Sequence, residues 1–185
     1  MNKKLVWLFT LLLLAASAFA EAQQTPKIPR VGILFIGGRD QPHLESFKQG
    51  MREHGYIEGK NVFFEYRYAE GNYDRLPDLA ADLVQKKVDV IVTTSSLSAL
   101  AARKLTSTVP IVMTSGGALE RGLAESLAKP GGNVTGLTVL AADLSGKRLE
   151  LLKEAFPKSR RVATLWSRVG LGFKETQDAA KCSIG

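Results

Sequence analysis

Three short segments, Gly37-Gly38-Arg39-Asp40, Thr94-Ser95-Ser96 and Thr114-Ser115-Gly116-Gly117, are small, hydroxylated or glycine-rich, and each directly follows an apolar run. Such residues bind rather than react. Hydroxyls supply neutral donors and acceptors, and glycine lets a ligand approach the backbone closely. A loop that opens a helix also turns free amides and the positive end of the helix dipole toward an anion such as a carboxylate or phosphate. Any one of these Ser or Thr residues also serves an ordinary cap or turn, so it is the recurrence in three loops that points to a ligand. The candidate ligand-binding residues are therefore Gly37, Gly38, Thr94, Ser95, Ser96, Ser115 and Gly116.

Catalytic signatures do not accompany them. No G-x-G-x-x-G follows the first apolar run, and neither G-x-x-x-x-G-K-[ST] nor G-x-S-x-G occurs. His43 and His54 stand eleven residues apart on one helical segment, without an identifiable partner to position either as a general base. With a single cysteine, Cys182, there is neither a zinc-like cluster nor an intramolecular disulfide. Asp40, Asp74 and Asp143 each stand near a helix start, where capping explains them. The expectation is a binding protein with no catalytic residue, metal or cofactor.

Setting several such loops side by side is the work of a parallel sheet. Short apolar or β-rich runs at 31–36, 62–68, 88–93, 111–113 and 134–139 alternate with amphipathic segments of helical length. Helices are expected from Pro42 to Gly55, from a cap at Asp74, after Thr94-Ser95-Ser96 with Leu97, Leu100, Ala101 and Leu105 inward, and over 119–128. The alternation of Phe64, Tyr66 and Tyr68 with Glu65 and Arg67 reads as a strand near an edge. The fold class is α/β, a doubly wound parallel sheet with helices on both faces, and ligands of such sheets sit beyond the carboxyl ends of the strands. A helix over 144–156, a strand over 161–166 and a helical tail from Lys174 then open a further βα series.

Residues 1–20 stand apart from this pattern. Lys3 and Lys4 precede an apolar run over 5–16 that leads into Ser17-Ala18-Phe19-Ala20, the order of a secretory signal peptide cut before Glu21. The run is too short for a membrane span. The formal charge of +7 falls by two without Lys3 and Lys4, and the remaining basic residues are scattered. With no interleaving of aromatic and basic residues, nucleic acid is not an expected partner. Of the 185 residues, 45% are hydrophobic and 23% charged, which belongs to a globular chain with a packed core.

Four stretches then carry a resemblance. Gln49-Gly50-Met51-Arg52-Glu53-His54-Gly55-Tyr56-Ile57-Glu58-Gly59-Lys60-Asn61-Val62, Glu65-Tyr66-Arg67-Tyr68-Ala69-Glu70-Gly71, Val88-Asp89-Val90-Ile91-Val92 and Lys129-Pro130-Gly131-Gly132-Asn133-Val134-Thr135-Gly136 occur in that order. They resemble the substrate-binding proteins of ABC transporters, the family that includes tryptophan and tyrosine receptors, and the similarity runs over 31–180. The resemblance implies a periplasmic-binding-protein-like fold of two doubly wound lobes with a ligand closed between them. The first lobe (27–138) would be nearly complete, the first crossing would lie at 136–138, and the second lobe (139–185) would be only begun, so a truncated second lobe is expected. It further implies a monomeric, non-enzymatic periplasmic receptor. Such a receptor captures a small solute, an amino acid or similar carboxylate, and delivers it to an inner-membrane ABC permease. Gly117-Ala118 departs from the family, whose members commonly carry Asp-Pro there, and lacks a carboxylate suited to a ligand amino group. The alternatives are a periplasmic enzyme on the same sheet topology and a nonfunctional truncated remnant.

Overall fold

The computed structural model describes residues 27–140, 143–165 and 173–184; the signal peptide expected over 1–20 lies outside them. Strands β1 (Arg30–Phe35), β2 (Phe63–Tyr68), β3 (Val90–Thr93), β4 (Ile111–Met113) and β5 (Val134–Gly136) form one sheet in the order β2-β1-β3-β4-β5, every pair parallel. β2 is an edge strand, as its alternating sequence predicts. The connections contain α1 (Pro42–Glu53), α2 (Leu76–Gln85) and α3 (Ser96–Arg103), and α4 (Asp143–Ala155) and α5 (Phe173–Ile184) follow the sheet.

The two-residue period of the strands divides the core. Val31, Ile33 and Phe35 of β1, with Val92 of β3, pack under Leu44, Phe47 and Met51 of α1. Leu34, Ile91 and Ile111 point the other way, against Leu76, Ala80 and Leu83 of α2 and Ala99 and Ala102 of α3. Both faces are therefore covered, as a doubly wound sheet requires. Ile33, Leu34, Leu83, Ile91 and Ile111 are wholly buried, and each contributes about 1.5–3 kcal/mol through burial.

Local chemistry sets the element ends. Pro42 opens α1, and the helix stops where Gly55 N donates to Arg52 O (2.9 Å) and Tyr56 N to Met51 O (2.8 Å), the paired bonds of a Schellman motif. The start of α2 differs from expectation. The capping side chain is Asn72, whose Oδ1 accepts from Asp74 N at 3.0 Å and fixes a single 3-10 turn, Tyr73–Arg75, ahead of the helix. In α3 the buried face is made of Ser96, Ser98, Ala99, Ala101 and Ala102, while Leu97 and Leu100 are only partly buried and Leu105 lies exposed past the end. Small residues let this helix lie close to the sheet, and the Ser98 hydroxyl can be buried because it meets Ser95 Oγ at 3.0 Å.

Two expected elements do not form. Residues 119–128 make successive turns: Gly122 N bonds Leu119 O (2.9 Å), Leu123 N bonds Ala118 O (2.8 Å), and the Arg103 guanidinium takes the Gly122 carbonyl. Leu123 is still driven into the core, so this stretch covers the sheet without being a helix, while Leu127 is 57% exposed. Residues 161–165 are not a strand either, and Trp166 lies outside the described residues. All five described strands belong to one sheet, which leaves 161–165 no ladder to join.

Candidate functional site

An open cleft of about 350 Å³ lies across the carboxyl ends of the strands. Ile36 enters it after β1, Tyr73 from the turn after β2, Thr94, Ser95, Ser96 and Leu97 after β3, Ser115, Gly116 and Gly117 after β4, and Val139 after β5. The strand order reverses between β1 and β3, so the chain diverges on either side of this point and leaves a crevice there. Its volume is at the lower end of the range for small-molecule sites.

Five of the seven candidate residues come together here: Thr94, Ser95, Ser96, Ser115 and Gly116. Gly37 and Gly38 stand beside the lining, just past Ile36. A side chain at Gly37 would strike the amide of Gln41, which folds over it, whereas Gly38 is exposed and a Cβ there would meet nothing within 4 Å. Sequence reasoning missed Ile36, Tyr73, Leu97, Gly117, Arg121 and Val139. Ile36, Gly117 and Val139 adjoin strand ends and could have been found by extending the same rule one or two residues. Tyr73 and Arg121 carried no such signal, because their places depend on a 3-10 turn and on turns where a helix is expected.

The hydroxyls differ in what they already do. Ser95 is the N-cap of α3: its Oγ accepts from Ser98 N (3.1 Å) and its carbonyl from Ala99 N (3.0 Å). That leaves the N–H groups of Ser96 and Leu97, the first two of the helix, outside the helix's own ladder, and both residues line the cleft. Thr93 Oγ1 donates to Ser95 O (3.2 Å) and Thr114 N to Thr93 O (2.9 Å), which ties the ends of β3 and β4 together. Ser96 is buried and Ser115 is exposed.

Gly116 is required where it stands. Its φ is +121°, and a Cβ there would lie 2.6 Å from Ser96 N. The β4 loop thus seats directly on the first turn of α3. The same loop holds the chain as it leaves β5: Thr138 Oγ1 donates to Gly116 O (2.9 Å) and accepts from Ala118 N (3.0 Å), and Val139 N donates to Gly116 O (2.9 Å). At Gly136, with φ +133°, a side chain would run into the Met113 carbonyl, so the departing segment lies flat against β4.

The groups with displaced ionisation lie elsewhere. The Asp89 carboxyl is held below the usual range by the Lys27 ammonium and the Arg30 amide, at the amino ends of the strands. The Tyr66 phenol, on β2, is pushed up by burial and by its bond to Glu58 (2.8 Å). Arg121 is the one charged residue of the cleft lining. Among the described residues no group of His, Cys, Asp and Glu could hold a metal, and no helix is long and apolar enough to cross a membrane. A crevice of hydroxyls, backbone and apolar side chains with one guanidinium offers the polar and apolar contacts that grip a small molecule.

Known proteins are similar to this chain in sequence and fold. The family described as ABC transporter substrate binding protein matches residues 38–180. The curated tyrosine-binding protein of Clostridioides difficile (strain R20291) is 34% identical over 146 residues, 76% of this chain and 41% of that protein. A solved conserved domain protein from Vibrio cholerae O1 biovar El Tor is similar at a TM-score of 0.71 and 28% identity, over 85% of this chain and 55% of that one. A ligand-free, open substrate-binding protein with adhesive properties from Clostridium difficile gives 0.62 and 28%, over 83% and 52%. The chain spans about half the length of these relatives, or less. The family is one of binding proteins rather than enzymes. With its sheet, its switch-point cleft and a match over most of its length, the chain belongs to the ABC transporter substrate-binding protein family.

Proposed function

We propose that this chain is the solute-binding component of an ABC importer, exported by its first 20 residues to the periplasm and acting there as a monomer. Residues 27–138 serve as the first ligand lobe and 139–185 begin the second, with the crossing at 136–138. The solute is small, an amino acid or similar carboxylate, and the receptor hands it to an inner-membrane permease. Amino-acid chemistry is supported by the tyrosine-binding relative. The observation that carries the reading is the cleft at the switch point, where Thr94, Ser95, Ser96, Ser115 and Gly116 converge on the first turn of α3. Closure of a second lobe over such a cleft is the signal that a permease reads.

A one-sided cleft leaves much of its ligand in water, whereas a complete site buries about 70–90% of a ligand's surface. The isolated chain is therefore expected to bind weakly. A thermal-shift screen against amino acids and small organic anions tests the reading, since a ligand of the native state raises the midpoint by mass action. A shift with one ligand class supports it, and submicromolar affinity for this chain alone would contradict the one-lobe assignment.

A further inference from the structure

The basic residues are scattered in the sequence, but the parallel topology gathers many of them at one end of the molecule. Every strand runs the same way, so the segments that lead into the strands share the amino end of the sheet, opposite the cleft. Lys27 and Arg30 stand at the start of β1, Lys60 before β2, Lys86 and Lys87 before β3, Lys104 before β4 and Lys129 before β5, and all are exposed. Lys86 and Lys104 are the C-caps of α2 and α3, where the carbonyl end of a helix favours a cation. Lys60, Lys86, Lys87 and Lys104 form no ion pair among the described residues. The acids at this end are fewer and engaged: Asp89 is half-buried and holds Lys27 and the Arg30 amide, Glu58 accepts from Tyr66 and pairs with Lys48 at 3.7 Å, and Glu125 lies against Gly131. Arg52 and Glu53 offset each other at the end of α1. At the carboxyl end, by contrast, Arg39, Arg75 and Arg121 stand among Asp40, Glu70, Asp74 and Glu120, so the positive field belongs to the amino end alone. Apolar side chains are set among these lysines: Ile28, Ile57, Phe63 and Leu105 are all exposed.

We propose that the amino-end face of the sheet is a docking surface for a bilayer that carries anionic lipid. The charges are mostly lysines, compact point charges on flexible stems, and they are spread over five segments across a sheet about 20 Å wide. That distribution suits a broad array of headgroups better than a single shaped anion. Each Lys or Arg near an anionic bilayer adds its own increment of attraction, and Ile28, Ile57, Phe63 and Leu105 supply apolar surface for the boundary between headgroups and acyl chains. Nucleic acid would instead call for aromatic rings interleaved with the charges along a groove. A chain held by this face points its cleft at solvent, away from the bilayer. The inference does not depend on which ligand the cleft takes, and its failure leaves the receptor reading standing.

The experiment is vesicle flotation with the chain from Glu21 onward, which lacks the apolar run over 5–16 that would bind lipid by itself. Phosphatidylcholine vesicles and equimolar phosphatidylcholine–phosphatidylglycerol vesicles are the two surfaces. Binding is expected to the second and not to the first, and it should fall as salt is added, because exposed charges are screened. Lys86→Gln combined with Lys87→Gln should weaken it about thirtyfold, from the usual increment per basic residue. Arg75→Gln combined with Lys158→Gln removes the same net charge outside the face and should change binding by less than about twofold. All four positions are exposed, so the variants are expected to fold, which circular dichroism checks. Binding that ignores lipid charge, no binding to the anionic vesicles, or undiminished binding by the Lys86/Lys87 variant would each overturn the proposal. An equal loss in both variants would overturn it too, since net charge alone would then explain the attraction. Immobilised poly-L-glutamate is the third arm: capture as tight as by the anionic vesicles would assign the face to an acidic polypeptide and overturn the lipid proposal.

Discussion

Gly116 shows how little latitude the cleft allows a single residue. Gly116→Ala places a methyl 2.6 Å from the Ser96 amide at a backbone φ of +121°, so a loss of about 1–3 kcal/mol is expected. The loss should appear as a lower thermal midpoint together with weakened ligand-induced ¹H–¹⁵N NMR shifts at Ser96 and Leu97. Asp89 acts at the other end of the strands. Its folded pKa lies below the ordinary carboxylate value, so its contribution is present above about pH 4 and is lost as pH falls through the lower folded value. Asp89→Asn should therefore cost stability at pH 7 and progressively less below pH ~4, as read by urea unfolding across pH. With Lys27 74% exposed, the difference should stay under about 1 kcal/mol.

At the scale of elements, the turns over 119–128 separate two leucines that a helix would place on one face. Leu123 is 1% exposed and Leu127 57%, so Leu123→Ala is expected to cost about 2–5 kcal/mol and Leu127→Ala about 0.5 kcal/mol or less in chemical denaturation. Equal effects would restore the helix. Thr138→Val removes the two side-chain bonds that join the departing segment to the β4 loop and leaves the backbone bond from Val139 N to Gly116 O. A loss of about 1–3 kcal/mol and faster hydrogen exchange at Ala118 are expected. The strands were legible in the sequence because each is a short apolar run that can satisfy a parallel sheet only when buried. Residues 119–128 were not, since an apolar spacing of four fits a helix equally well; the left-handed backbone of Gly122, at φ +63°, and the Arg103 guanidinium that donates to its carbonyl go with turns instead. Arg121 stayed hidden for the same reason, and Tyr73 because Asn72 fixes a 3-10 turn where a helix start at Asp74 is expected. The five converging hydroxyl and glycine residues were visible because strand-end loops follow directly from the strands.

Across the whole molecule, burial is uneven. The sheet and its three helices hold nearly all of the core, whereas α4 buries only Ser145 and Leu149 and leaves Leu144, Leu151 and Leu152 exposed. Low local burial means low local stability, so native-state hydrogen exchange should find the α4 amides opening well before those of β1 and β3. Equal protection would contradict that division. The topology was legible from the βα alternation alone, but the poor cover of α4 was not, because its apolar residues look the same in sequence whether or not something packs on them. Gly116 and Gly136 impose a different kind of limit. Neither has room for a side chain, one because of the Ser96 amide and the other because of the Met113 carbonyl. A randomised library built on this lobe would return those two codons unchanged, and new ligand preferences would have to be written at Tyr73, Thr94, Ser115 and Arg121, where the cleft is bounded by side chains rather than by interlocked backbone.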